Sequence, residues 1–209
     1  METYKTIRIG KIRTSKFELI DILKAWVILS LAFALVYGGM NLIDGTLGNL
    51  FSPVFLVLFL VSLFTAGAGF LFHELGHKFV AQHYGCVAEF RAFNQMLYLA
   101  LGLAAVIGFI FAAPGAVMIT GRVTLRENGK ISLAGPLVNF VLAFVFLGLS
   151  FIVPILFIGY FINAWLGLFN LIPFGNFDGK KVLDWNRYVW LGMVLVGIAL
   201  LWILPGRFF

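Results

Sequence analysis

Residues 53–83 read PVFLVLFLVSLFTAGAGFLFHELGHKFVAQH. The stretch opens with an apolar run, Pro53 to Phe72, long enough for a hydrocarbon core of ~30 Å at ~1.5 Å per residue. It then passes directly into His73-Glu74-Leu75-Gly76-His77, an H-E-x-x-H pattern. On a helix His73 and His77 lie on one face, one turn apart, where both imidazoles can grip a single zinc ion. Glu74 falls beside them, placed to act as general base toward a zinc-bound water. Five letters are a weak signal in a random chain. At the end of a membrane-length run they say more, because ionisable groups at membrane depth are costly and mark function by default. Pro53 suits a first helical turn, and Tyr84-Gly85 supplies a C-terminal stop.

The rest of the chain agrees with a membrane setting. Of 209 residues, 62% are hydrophobic and 11% charged, and the mean hydropathy is +1.03. Soluble domains average about 45–50% apolar and about 25% charged. The expected fold is an all-α polytopic membrane protein of five or six spans. It forms one membrane-embedded domain over 1–209, with no polar stretch long enough to fold alone. No segment reads as a cleaved signal peptide. The single cysteine, Cys86, excludes an internal disulfide and argues against a cysteine zinc site. The net charge of +6 is accounted for by basic residues gathering at the cytoplasmic face, so nucleic acid is not an expected partner.

Span 1 is expected over about 22–43, after a basic cytoplasmic leader, 1–21, carrying Lys5, Arg8, Lys11, Arg13 and Lys16. Spans 3, 4 and 5 are expected near 133–149, 152–172 and 189–204. Residues 95–113 are long enough to cross, but charge argues otherwise. If they do not cross, 14 of the 15 basic residues share the cytoplasmic side and only Arg207 lies outside; if they do, the split is 9 against 6. The positive-inside rule prefers the first arrangement. The segment is therefore expected to be re-entrant or interfacial, with Gly102 and Gly108 as bend points. Both the N-terminus and the H-E-x-x-H end of span 2 then face the cytoplasm. Between spans 2 and 3, the stretch 116–132 is expected to form a small interfacial β-hairpin or strand unit, with Asn128-Gly129 as its turn. An exposed edge there could hold an extended peptide.

Catalytic zinc takes three protein ligands and leaves one position open, and two candidates complete the set. His83 lies ten residues after His73, the metzincin spacing. Val80, however, stands where that pattern has the glycine that turns the chain, and a continuing helix carries His83 about 240° around from His77. Asp178 follows a helix broken at Pro173 and Gly175, on the same side as His77. It also reads as an ordinary Asp-Gly turn residue.

His73-Glu74-Leu75-Gly76-His77, Ala134-Gly135-Pro136-x-x-Asn139 and Asn170-x-x-Pro173-x-x-x-x-Asp178-Gly179 occur in that order. Together they resemble the site-2 protease family of intramembrane zinc metalloproteases, over roughly residues 54–181. The resemblance implies that His73, His77 and Asp178 bind Zn2+ and that Glu74 is the catalytic base. Asn139 and Asn170 match positions that the family uses near substrate. The implied activity is hydrolysis of transmembrane protein substrates near the cytoplasmic face of a cell membrane. Asn176 stands where the family often has proline, and Gly179-Lys180-Lys181 replaces its frequent Gly-Gly-Arg. With no PDZ or CBS domain expected, this would be a minimal member. The rival expectation is a non-proteolytic membrane zinc protein: a transporter, a sensor or an inactive relative.

Overall fold

The computed structural model describes residues 6–10, 12–110 and 114–204. Lys5, Lys11 and Arg207, used above in counting charge, lie outside the described residues. The structure is mostly helical, 73%, with two small sheets. Among the described residues, three helical stretches are long and apolar enough to cross a membrane: Lys16–Tyr37, Pro53–His83 and Leu125–Ser150. Three shorter apolar helices, Asn94–Ile107, Pro154–Asn170 and Arg187–Ile203, accompany them. The chain gathers into two compact units, one drawn from 1–71 and 89–118, the other from 72–88 and 119–209.

In the first unit the basic leader is not a plain tail. Strands β1 (Thr6–Ile9) and β2 (Ile12–Ser15) form an antiparallel hairpin with Ile9 opposite Ile12. It turns at Gly10, whose φ of 62° is left-handed. Ser15 then caps helix α1 (Lys16–Tyr37) by accepting the Glu18 N–H. Helix α2 (Pro53–Ser62) starts at the Ser52 cap with proline in its first turn. A π-helical turn, Leu63–Gly67, leads on into α3 (Ala68–His83). Gly67 is required there, since a Cβ would lie 2.2 Å from Ser30 Oγ and 2.8 Å from Trp26. The Trp26 indole donates to the Leu63 carbonyl at 2.9 Å, so Trp26 packs within the unit rather than serving only as an interfacial anchor.

The segment 95–113 contains helix α4 (Asn94–Ile107), closed by Gly108 in the left-handed region at φ 68°. Its 14 residues extend roughly 21 Å, short of a ~30 Å core. Gly102 lies inside the helix, which continues past it, whereas Gly108 ends it. Strands β3 (Val87–Ala92) and β4 (Gly115–Thr120) make the second two-stranded sheet. The expected hairpin across 116–132 is thus half right. A strand is present, but it pairs with β3, a strand the sequence reading did not foresee. Asn128-Gly129 makes no turn, because Thr124 and Glu127 form a reciprocal capping box that starts helix α5 (Leu125–Ser150). Once a helix is nucleated at Thr124, the local Asn-Gly preference has no hairpin to close. Gly129 is instead where Trp185 packs, its Cβ 2.4 Å from the position a Gly129 Cβ would take.

The second unit is built on α5, α6 (Phe157–Asn170), α7 (Asp178–Trp185) and α8 (Arg187–Ile198), with the end of α3 from Phe72. Phe140, Ala143, Phe146, Tyr160, Ala164, Leu171 and Leu200 form its core. Gly76 lets α3 meet α5 closely: a Cβ there would sit 3.2 Å from the Ala134 carbonyl. Gly85, at φ 81°, closes α3 as expected.

Candidate metal centre

All three side chains of the centre belong to the second unit. His73 and His77 project from α3 one turn apart and are buried, as is Asp178. The loop after α6 carries Asp178 to them. It breaks at Pro173 and at Gly175, whose φ is 59°. Gly179 brings the first turn of α7 hard against the end of α6, where a Cβ would lie 2.1 Å from the Leu171 carbonyl. That carbonyl also accepts the Trp190 indole N–H at 2.8 Å, so α8 buttresses the same loop. Asp178 is thereby held at the first position of α7, where the helix N-terminus favours a carboxylate.

Asp178 Oδ2 lies 3.0 Å from His77 Nε2 and 3.3 Å from His73 Nε2, and the two Nε2 atoms are 3.0 Å apart. A triangle of these sides has a circumradius of about 1.8 Å, so a point about 2.0–2.2 Å from all three exists just off its plane, matching zinc–nitrogen and zinc–oxygen bonds. The imidazole rings meet edge to face at 83°, and their Nε2 atoms converge on the same Asp178 oxygen. Gly135 of α5 keeps the space between them clear. A Cβ there would stand 2.4 Å from His77 Nε2 and 2.6 Å from His73 Nε2. Burial by itself would raise the Asp178 carboxyl, yet the His77 and His73 imidazoles hold it well below the ordinary carboxylate range.

Each imidazole is oriented through its other nitrogen, as metal-bound histidines are. His77 Nδ1 donates to the Ile131 carbonyl at 2.8 Å. His73 Nδ1 donates to Asn139 Oδ1 at 2.6 Å. Pro136 stands inside α5 and interrupts the helical ladder beside these contacts.

The structure brings His73, His77 and Asp178 together and leaves His83 out. His83 is exposed and packs edge-on against Tyr84. Among the described residues these three alone form a cluster able to hold a metal ion. Glu74 follows His73 on α3 and is half-buried. Lys78, grouped above with the cytoplasmic cations, is buried, 2% exposed. Asn139 is fully buried and turned to His73. Asn170 is half-buried and donates to the Leu166 carbonyl of its own helix. Asn163 went unnoticed in the sequence. It is fully buried beside Asn139, and its only signal was an amide in the middle of the apolar run FIGYFINAWLGLF.

A buried His-His-Asp cluster with a glycine-lined gap defines a metal-centre protein. Comparison with curated proteins narrows that class. The chain is 40% identical over 202 residues to a protein named putative zinc metalloprotease from Methanocaldococcus jannaschii, covering 90% of this chain and 95% of the relative. A zinc metalloprotease of the same organism is 29% identical over 158 residues, and the putative zinc metalloprotease Rip2 of Mycolicibacterium smegmatis is 34% identical over 134 residues. The chain spans 38% and 51% of the length of those two, and the matches take in 72% and 54% of its own residues. No protein-family model matches the chain, and no solved structure matches it. The chain belongs to the zinc metalloprotease family, and its cofactor is Zn2+.

Proposed function

We propose that the protein is an intramembrane zinc endopeptidase of the site-2 protease type, cutting transmembrane substrates near the cytoplasmic face. The observation that carries the reading is the buried His73–His77–Asp178 cluster, two of whose members lie on a helix long and apolar enough to span a membrane. A soluble protease has no need to place its metal ligands on such a helix.

In this reading His73, His77 and Asp178 hold zinc, and Glu74 is the proton carrier. Zinc, when bound, supplies Lewis acidity that polarises a carbonyl and lowers the pKa of water to about 7. Glu74 takes the proton of the attacking water and passes it to the nitrogen of the departing amine. Burial of the three ligands keeps competing water away and strengthens the fixed charges around the scissile bond. A helical substrate has its carbonyls tied into its own ladder, so it must be drawn out before attack. The peptide-holding role expected of 116–132 contracts to Gly115–Thr120, since residues 125–132 are helical. The cytoplasmic orientation rests on the distribution of Lys and Arg.

The test is cleavage of a membrane-spanning substrate by the purified chain in proteoliposomes, with zinc content measured on the same sample. Glu74→Gln should lose activity by on the order of 100-fold or more while retaining zinc. A Glu74→Gln variant as active as the parent would remove Glu74 from the mechanism. Zinc flux without peptide cleavage would favour the transporter reading.

A further inference from the structure

The two histidines are held by different devices. His77 Nδ1 donates straight to a backbone carbonyl, Ile131 O, at 2.8 Å. A carbonyl only accepts, so His77 keeps a proton on Nδ1, and Nε2 is the atom left to take a metal. His73 faces the side-chain amide of Asn139, and a carboxamide can present either its oxygen or its NH2. With the NH2 turned toward Nδ1, His73 would carry its proton on Nε2 and could not ligate a metal there. Something beyond Asn139 must choose between these states.

The chain of contacts continues to a group that has no choice. Asn139 Nδ2 donates to Asn163 Oδ1 at 3.0 Å. Asn163 Nδ2 donates to the Gly159 carbonyl, one turn earlier on α6, at 2.9 Å. Because that carbonyl can only accept, Asn163 must turn its NH2 to it and its oxygen to Asn139. Asn139 must then turn its NH2 to Asn163 and its oxygen to His73, and His73 must hold its proton on Nδ1. Asn139 and Asn163 are both 0% exposed, so water cannot readily substitute for a missing link.

We infer that Asn163 is a positioning residue: through Asn139 it fixes the tautomer of His73 and so keeps Nε2 available to zinc. The inference rests on the metal-centre reading of His73, His77 and Asp178. It gives Asn139 a role inside the protein, as the middle link of a relay that starts at Gly159, rather than one at the substrate.

The experiment uses the full chain in detergent micelles, labelled with 15N-histidine. The sequence has three histidines, so the imidazole spectrum is readable. In the apo wild type His73 should show a protonated Nδ1. Asn163→Leu should leave a fraction of His73 with a bare Nδ1. It should also weaken zinc binding, read by chelator competition with Zn2+ alone, by about 10–100-fold. Asn163→Asp, neutral when buried, can donate its proton to the Gly159 carbonyl and accept from Asn139. It should restore both the tautomer and an affinity within a few fold of wild type, a rescue that filling volume alone would not produce. The inference is overturned if Asn163→Leu leaves the His73 tautomer unchanged and zinc affinity within about twofold of wild type. It is equally overturned if apo wild-type His73 has no proton on Nδ1, a reading that needs no variant to fold. A wild type that binds no zinc would sink the metal-centre reading, and the apo tautomers would still decide the relay.

Discussion

Glu18 in the first unit and Asp178 in the second are both buried carboxylates, and what faces each is different. Glu18 accepts the Thr14 hydroxyl at 2.7 Å on one oxygen and the Phe90 backbone N–H at 2.9 Å on the other. Asp21, one turn on, accepts the Ala92 N–H at 3.3 Å. The two acids of α1 thus serve alternate N–H groups of β3, Phe90 in the interior and Ala92 at a half-buried position. Asp178 faces two imidazole nitrogens that are themselves oriented from behind. Glu18 is surrounded by donors that belong to the fold. Asp178 Oδ2 faces two nitrogens that can each give a lone pair to one ion, while the Lys181 ammonium lies 3.8 Å from Oδ1. Burial of a carboxylate therefore marks a place where something must compensate it. The identity of the compensating groups separates a structural acid from a ligand.

The largest effect that would test this contrast is at Asp178. Asp178→Ala should raise the zinc dissociation constant by on the order of 100-fold or more, a loss beyond that of an outer-shell change. A variant that bound zinc as tightly as the parent would place Asp178 with Glu18 among the structural acids.

Next is Gly135→Ala, which adds one methyl group where a Cβ would fall 2.4 Å from His77 Nε2. Zinc binding should fall to background, with helical circular dichroism retained. Retained zinc would show that α5 can withdraw from α3, and that the gap is not set by Gly135.

Helix starts and ligand spacing differ in how far they can be read from the chain. His73 and His77 were legible because both sit within one turn of one helix, a period that sequence carries directly. The failure of His83 was legible for the same reason, from Val80 and the helical angle. Asp178 is about a hundred residues away, and spacing alone left it equal to a turn residue. What fixes it is tertiary: Gly179 packed on the Leu171 carbonyl and Trp190 bonded to that same atom. The Asn163–Asn139 relay needs two helices to be side by side before it exists. The β1–β2 hairpin hid behind the charges of a leader, and β3 behind the end of α3. The Thr124-x-x-Glu127 box lies in the sequence beside Asn128-Gly129, and the two signals point to opposite local structures. A capping box supported by a 26-residue helix outweighs a two-residue turn.

On the structural side of the contrast, Glu18→Ala should leave zinc binding unchanged and lower stability. It strands the Phe90 N–H and the Thr14 hydroxyl in a buried site, at a cost of about 1–3 kcal/mol for each group left unpaired. The check is thermal unfolding in detergent alongside zinc titration of the folded chain. Loss of zinc at unchanged stability would make Glu18 more than a structural acid.

Asp21→Asn gives the smallest effect and the finest reading of the comparison. Asp21 is part-exposed, with 20% of its side chain accessible, and it divides its oxygens between Lys24 Nζ at 2.8 Å and the Ala92 N–H at 3.3 Å. An asparagine keeps an oxygen for the Ala92 N–H and gives up the ion pair, and ion pairs this accessible contribute about 0–1 kcal/mol. The melting temperature should therefore shift by no more than a few degrees, and less at high salt, where such pairs are screened. If Asp21→Asn instead destabilised the chain as much as Glu18→Ala, the charge rather than the acceptor would be what β3 requires. The two acids of α1 would then act on it electrostatically, in the way Asp178 acts on its histidines.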